Sequence, residues 1–361
     1  MTRALALAAK AKHRTSPNPM VGAVLVRGGQ VVGEGYHRRA GGPHAEVLAL
    51  SVAGELARGA TMYVTLEPCA HHGRTGPCAD AIVVAGVAEV FIATRDPDPR
   101  VSGRGIARLK AAGIRVRVGD GAREARALNA RWLAARRQGR PFLALKYAAS
   151  LDGKIATHDG SSTWITGTAA RAEVHRLRAA YDAIVVGAGT VLKDNPRLTA
   201  RLGDDRPASR QPLRVVVDGR LRIRPDARVL DPALPGRALV VTTPAGFRRR
   251  GAGFKRKGVD VRVLEPGPDG SIAALALARM LAEEQIASIL VEGGGDLAWG
   301  MVEGGIVDQI YAFVAPRILG GTDAPTPVDG AGFRRLADAL QLDFVSTRRI
   351  GADILLEAVA A

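Results

Sequence analysis

Short apolar runs of strand length alternate with helix-period segments along almost the whole chain, and one polar break divides the alternation in two. Before the break, Val21–Val26, Thr61–Leu66, Glu89–Ala93 and Arg115–Val118 read as strands, and Ala4–Lys10, His44–Leu56, Cys78–Ala85 and Gly105–Ala112 as helices. Such segments bury their apolar sides by stacking in layers, so an α/β fold is expected. The break, residues 136–141, ends in Gly-Arg-Pro after a helical stretch over Gly121–Arg136 and has the composition of a linker.

Beyond it, Phe142–Ala148, Ala183–Val186, Leu213–Val217, Ala238–Val241, Val259–Val263, Ser288–Val291 and Gln309–Val314 are strand-like. Helices are expected at Ala169–Ala180 and Ile272–Glu284, a loop over Gly203–Pro212, and a closing antiparallel pair at Leu342–Arg348 and Ile354–Val359. The reading is two α/β domains, 1–138 and 141–361. A chain of 361 residues exceeds what one core usually organises.

Composition narrows the partners. No run approaches the ~18 apolar residues of a membrane span; the best stretch, Ala79–Ala93, is broken by Asp80 and Glu89. The basic N-terminus could suggest a leader, but the strand at Val21 begins too soon for one, and a first helix from Thr2 to about Lys12 is expected instead. Residues 1–140 hold 22 Lys and Arg against 10 Asp and Glu, which attracts anions. With only Tyr36, Tyr63, Phe91 and Trp132 there to stack on bases, the expected partner is a small phosphorylated molecule and not a nucleic acid.

The two cysteines fall in one motif. His44-Ala-Glu46 opens a helical pattern, and Pro68-Cys69 follows a strand, with eight residues between Cys69 and Cys78. This is the H-x-E…P-C…C pattern of zinc-dependent deaminases. Two thiolates and an imidazole hold Zn²⁺ while leaving a fourth position open. The metal makes water acidic near neutral pH, and Glu46, not a ligand, moves the protons. Helix N-termini at His44 and Cys78 favour thiolate over thiol. At this point a disulfide between the cysteines and a closed structural site, with His71 or His72 as fourth ligand, remain open.

Several motifs closely resemble the bifunctional deaminase/reductase family of riboflavin biosynthesis: Pro17-Asn-Pro-Met-Val-Gly22, Gly35-Tyr-His37, Pro43-His-Ala-Glu46 and Thr65-Leu-Glu-Pro-Cys-Ala-His-His-Gly-Arg-Thr75. Ser150-Leu-Asp-Gly-Lys154, Trp164-Ile-Thr166, Thr190-Val-Leu-Lys-Asp-Asn-Pro196 and Val291-Glu-Gly-Gly-Gly295 resemble its reductase half. The match runs nearly end to end. One departure is Gly76-Pro77-Cys78, where the family commonly has Pro-Pro-Cys.

The resemblance implies a cytidine-deaminase-like domain followed by a dihydrofolate-reductase-like one, in a cytoplasmic enzyme compatible with a homo-oligomer. The first would deaminate 2,5-diamino-6-ribosylamino-4(3H)-pyrimidinone 5′-phosphate with one zinc ion, using Glu46 for proton transfer, His44, Cys69 and Cys78 as ligands, and Asn18, His71 and Arg74 as substrate contacts. The second would reduce the ribosyl group to ribityl with NADPH. Around the cofactor the resemblance puts Ala148, Trp164, Thr190, Asp194, Gly294, Gly295, Asp296, Leu297, Ala298, Trp299 and Gly300. Around the substrate it puts Ser162, Arg178, Leu198, Arg201 and Glu292. From the residues themselves, Glu292-Gly-Gly-Gly-Asp296 after a strand and before a helix suits a diphosphate or is a plain tight turn. Lys146, in an apolar strand, needs a buried partner, which points to an active-site position.

Overall fold

Gly28 and Gly29 both lie at positive φ (56° and 78°), the conformation a two-residue hairpin turn demands, and they fold the first two strands back to back. In the computed structural model, which describes residues 1–11, 14–70, 76–98, 101–203 and 206–361, the chain separates into two units, Met1–Gly139 and Arg140–Ala361.

The first unit runs α1 (Thr2–Ala9), β1 (Gly22–Arg27), β2 (Gln30–Tyr36), α2 (Ala45–Ala53), β3 (Thr61–Val64), α3 (Cys78–Val84), β4 (Glu89–Ile92), α4 (Arg104–Ala111), β5 (Arg115–Val118), α5 (Ala122–Leu128) and α6 (Ala130–Gln138). Its sheet has the order β2-β1-β3-β4-β5, antiparallel from β2 to β3 and parallel from β3 to β5. Alternate strand residues Ala23, Leu25, Met62, Val64, Val90 and Ile92 meet Ala49 of α2, Ile82 of α3 and Leu109 of α4 in one core. On the other face Val24 meets Ala4 and Leu7 of α1.

Glycine sets how closely α2 approaches. A Cβ on Gly35 of β2 would lie 2.7 Å from the Ala45 carbonyl oxygen, so the start of α2 rests directly on the strand backbone.

The second unit runs β6 (Phe142–Ser150), α7 (Thr168–Ala180), β7 (Ala183–Gly187), α8 (Ala188–Asp194), β8 (Leu213–Val217), β9 (Ala238–Thr242), α9 (Pro244–Arg256), β10 (Asp260–Val263), α10 (Ala274–Glu283), β11 (Ser288–Glu292), α11 (Gly295–Glu303), β12 (Gln309–Ala315), β13 (Leu342–Ile350) and β14 (Asp353–Ala360). Nine strands form one sheet, β10-β9-β8-β7-β11-β6-β12-β14-β13, parallel through β12 and antiparallel in the last pair. Its central strands are apolar on both sides, as a sheet covered on two faces requires. The chain leaves β7 toward β8 on one side and β11 toward β12 on the other. Between β7 and β11 the topology therefore opens a crevice at the strand C-termini, where α/β folds bind ligands.

The helical stretch expected over Gly121–Arg136 is two helices, α5 and α6. They part at Asn129, whose buried amide accepts from the Met20 N–H (2.8 Å) and donates to the Met20 carbonyl (2.9 Å). The helix expected at His44–Leu56 closes at Ala53 into a 3₁₀ turn.

Candidate active sites

His44 is the N-cap of α2 and Cys78 the first residue of α3, while Cys69 lies in the loop that follows β3. Two helix starts and a strand exit thus bring one nitrogen and two sulfurs together. His44 Nδ1 stands 3.1 Å from Cys78 Sγ and 3.7 Å from Cys69 Sγ, and the three donor atoms lie within 4.8 Å of one another. A tetrahedral zinc ion with bonds of ~2.3 Å to sulfur and ~2.0 Å to nitrogen separates N from S by about 3.5 Å, so the donor set fits that metal.

The local electrostatics favour a thiolate. The Cys78 N–H donates to Cys69 Sγ at 3.3 Å. The hydrogen bond from the Cys78 thiol, together with the neighbouring His44, holds Cys69 down at about 4, while donating that hydrogen bond and burial push Cys78 up. His44 is raised above its ordinary value, chiefly by its bond with Cys69. Both cysteines are free thiols, which removes the disulfide reading.

Glu46, two residues along α2, is only 4% exposed, and burial pushes its carboxyl up to about 7. A carboxyl poised there can both take and return a proton at neutral pH.

Asn18 reaches the same region: its Nδ2 lies 3.1 Å from His37 Nε2, and His37 Nδ1 donates to the Pro43 carbonyl at 3.0 Å. His37 is buried, which lowers its pKa and keeps the ring neutral, so Nε2 accepts from Asn18. The ring also meets His44 edge to face, centroids 5.4 Å apart. His71, His72 and Arg74 lie outside the described residues.

Glu67 holds the loop that carries Cys69. It is buried and accepts from the N–H groups of Gly103 (3.1 Å) and Ile106 (3.2 Å) at the start of α4. The helix start is pressed so tightly against the loop that a Cβ on Gly105 would lie 1.9 Å from the Pro68 carbonyl oxygen.

In the second unit the sheet pairs Lys146 of β6 with Glu292 of β11, and α7 adds Arg178. Arg178 bonds Glu292 through Nε to Oε1 (2.7 Å) and Nη2 to Oε2 (2.9 Å), and Lys146 Nζ stands 3.5 Å from Oε2. Burial alone would raise Glu292, yet Arg178 and Lys146 hold it down at about 2. Arg178 Nη1 also donates to the carbonyl of Thr199, next to Leu198, and the Arg201 N–H donates to His175 Nδ1 at 3.3 Å. Lys146, Arg178, Leu198, Arg201 and Glu292 therefore share one neighbourhood at the crevice.

A second cluster lies at the turn into α11. A Cβ on Gly293 would lie 2.7 Å from Thr190 Oγ1 of α8, and one on Gly187 would lie 3.7 Å from Leu297. Thr190 thus packs directly on the bare backbone at Gly293 and leaves no room there for a side chain. Ser162 Oγ reaches Asp194 Oδ1 at 3.5 Å. Trp164, 63% exposed, lies under the Arg171 guanidinium at 4.6 Å, and its carbonyl accepts from Arg317 Nη1 at 3.1 Å. Farther along α11, Ala298 turns into the core and Trp299 packs on Phe333, while space opens beside Gly300.

Sequence reasoning gave no role to His37, Glu67 or His175. His37 and Glu67 lie inside quoted motifs, and His175 is one helical turn before Arg178, the only signal that could have found it.

Comparison with known proteins gives the same division. Residues 1–94 match the cytidine and deoxycytidylate deaminase zinc-binding region, and residues 141–356 match the RibD C-terminal domain. The riboflavin biosynthesis protein RibD of Escherichia coli K12 is 43% identical over 370 residues, covering 100% of this chain and 98% of its own. A solved structure of Acinetobacter baumannii RibD superposes with a TM-score of 0.88 at 39% identity, covering 100% of this chain and 97% of that one. So does a Thermotoga maritima protein described as a diaminohydroxyphosphoribosylaminopyrimidine deaminase/5-amino-6-(5-phosphoribosylamino)uracil reductase, with a TM-score of 0.82 at 36% identity and the same coverage.

Proposed function

Since the chain belongs to the RibD family of bifunctional deaminase/reductases in riboflavin biosynthesis, we propose that its two units act in sequence on one phosphorylated pyrimidine. Residues 1–138 deaminate 2,5-diamino-6-ribosylamino-4(3H)-pyrimidinone 5′-phosphate. Residues 141–361 then reduce the ribosyl side chain with NADPH, giving 5-amino-6-ribitylaminouracil 5′-phosphate. The observation that carries the reading is the His44–Cys69–Cys78 donor set with Glu46 buried beside it.

A zinc ion held by those three donors supplies Lewis acidity that makes water acidic near neutral pH. Glu46 would take one proton from the attacking water and give it to the ring nitrogen, then take the remaining proton of the added hydroxyl and give it to the amino group, which leaves as ammonia. Asn18, its Nδ2 committed to His37, offers Oδ1 to the pyrimidine. His71 and Arg74 complete the substrate contacts in this proposal, Arg74 at the phosphate.

In the second unit Ser162, Lys146, Arg178, Leu198, Arg201 and Glu292 line the substrate site, Arg201 suiting its phosphate, while the Arg178 guanidinium is engaged by Glu292 and the Thr199 carbonyl. Ala148, Trp164, Thr190, Asp194 and the run Gly294–Gly300 hold NADPH, which supplies the hydride when bound. The glycine run that leads into α11 supports this, because bare N–H groups at a helix start suit a diphosphate. No helix among the described residues is long and apolar enough to cross a membrane. We place the enzyme in the cytoplasm, where thiols stay reduced, acting on a small molecule and not on nucleic acid, in a form compatible with a homo-oligomer.

The test is Glu46→Gln. Ammonia release is abolished, and reduction of separately supplied deaminated intermediate persists. Loss of both activities in a folded variant would contradict two independent sites.

A further inference from the structure

The first turn of α11 carries a neighbour that a diphosphate site would not be expected to tolerate. A Cβ on Gly295 would lie 2.1 Å from Asp329 Oδ2 and 2.4 Å from its Cγ, so the carboxylate rests on the backbone of that glycine. The other oxygen, Oδ1, accepts from the Thr326 N–H at 3.2 Å and from the Thr326 hydroxyl. Oδ2 makes no hydrogen bond to another described residue.

Asp329 belongs to a strap, residues 324–333, clasped at several points. Lys154 Nζ donates to the Ala324 carbonyl (3.0 Å), and the Ile155 N–H to that of Pro325 (2.9 Å). Gly330 is pressed on the Trp299 indole, where a Cβ would come within 2.3 Å, and Phe333 meets the same ring edge to face at 5.1 Å. The strap thus lies along α11 from its first residue to its second turn, with one negative charge set against the helix start. That charge suits the free enzyme, because an anion at a helix N-terminus is stabilising. It opposes a second anion at the same place.

We propose that Asp329 sets the affinity for the cofactor by competing electrostatically with its diphosphate at the start of α11, so that seating NADPH displaces the strap or bears the repulsion. The inference rests on the NADPH reading above. The geometry also bears on glycine at 295: a side chain there would push the carboxylate aside.

The test compares wild type with Asp329→Asn, which keeps the size of the side chain and removes its charge. Binding of NADPH is followed by its fluorescence at low and high salt, with thermal melting as the check on folding. Asp329→Ser, read the same way, is the second variant should Asn fold poorly. The expected result is about five-fold tighter binding by the neutral variant at low salt, shrinking as salt screens the charge. Binding by wild type with equal or weaker binding by both neutral variants overturns the proposal and leaves the cofactor reading standing. So does a gain unchanged at high salt, which would make the effect one of packing. Absence of NADPH binding to wild type overturns both.

Discussion

Arg178 grips Glu292 through two nearly parallel hydrogen bonds, at 2.7 and 2.9 Å, in a place where both side chains are almost wholly buried. Removing Arg178 strips Glu292 of both short hydrogen bonds and leaves it only Lys146, at 3.5 Å, as a buried counter-charge, and breaking a buried pair costs roughly 3–5 kcal/mol. Arg178→Met should therefore lower the melting temperature of the second unit and abolish reduction, while ammonia release persists. A triple variant that also carries Glu292→Leu and Lys146→Met, so that no charge of the cluster is left buried without its partner, should recover stability but not reduction. Calorimetry alongside the two activity assays checks this, and stability unchanged by Arg178→Met would refute it.

Acid should loosen the second unit in two stages. His175, desolvated and beside Arg178 and Arg201, has its pKa depressed from 6.5 to about 4. The unfolded chain therefore takes up a proton that the folded one refuses, and stability present above pH 6.5 is lost as pH falls toward 4. Glu292 is depressed from 4.5 to about 2. Its contribution, on the order of 3 kcal/mol, is present above pH 4.5 and is lost as pH falls from there to 2. His175→Asn, whose Oδ1 can still accept from Arg201, should flatten only the upper stage in a melting curve measured against pH.

Gly105→Ala should empty the metal site without touching its ligands. The new methyl, 1.9 Å from the Pro68 carbonyl, forces α4 and the Cys69 loop apart. Zinc per chain should fall well below one, with deamination lost and reduction kept; full zinc content in the variant would contradict the assigned role of the contact.

Glu67→Gln probes the same loop more gently. In either orientation the amide turns its NH2 toward one of the two N–H groups, of Gly103 or of Ile106, leaving a buried donor unsatisfied at about 1–3 kcal/mol. Zinc should then be lost to a chelator faster than from wild type, and deamination should be restored by added zinc. Equal rates of loss would remove Glu67 from the metal's support.

Much of this was readable beforehand. Strands such as Leu213–Val217 and Glu89–Ile92 announce themselves because a strand packed against a core needs consecutive or alternating apolar residues and little else. The donor trio was readable too, since metal chemistry restricts residue type and spacing together. β2 escaped because its packing demands glycine: Gly33 and Gly35 face α2, and a strand with two glycines loses its apolar signature. α9 escaped for a related reason, as Gly246, Gly251 and Gly253 dilute its helical pattern. Asn129 was invisible because its partner, Met20, is distant in sequence. The same holds for Glu67 and His175, whose importance lies in groups they meet only after folding.

His44, Cys69 and Cys78 belong to consecutive segments, and the elements that carry them lie within Met1–Gly139. Lys146, Arg178 and Glu292 come from a far longer span, and Glu292 cannot be in place until most of the second unit exists. During synthesis the metal centre can accordingly close while the ribosome is still translating the other half, so messages cut short downstream would yield polypeptides that load zinc and cannot reduce anything.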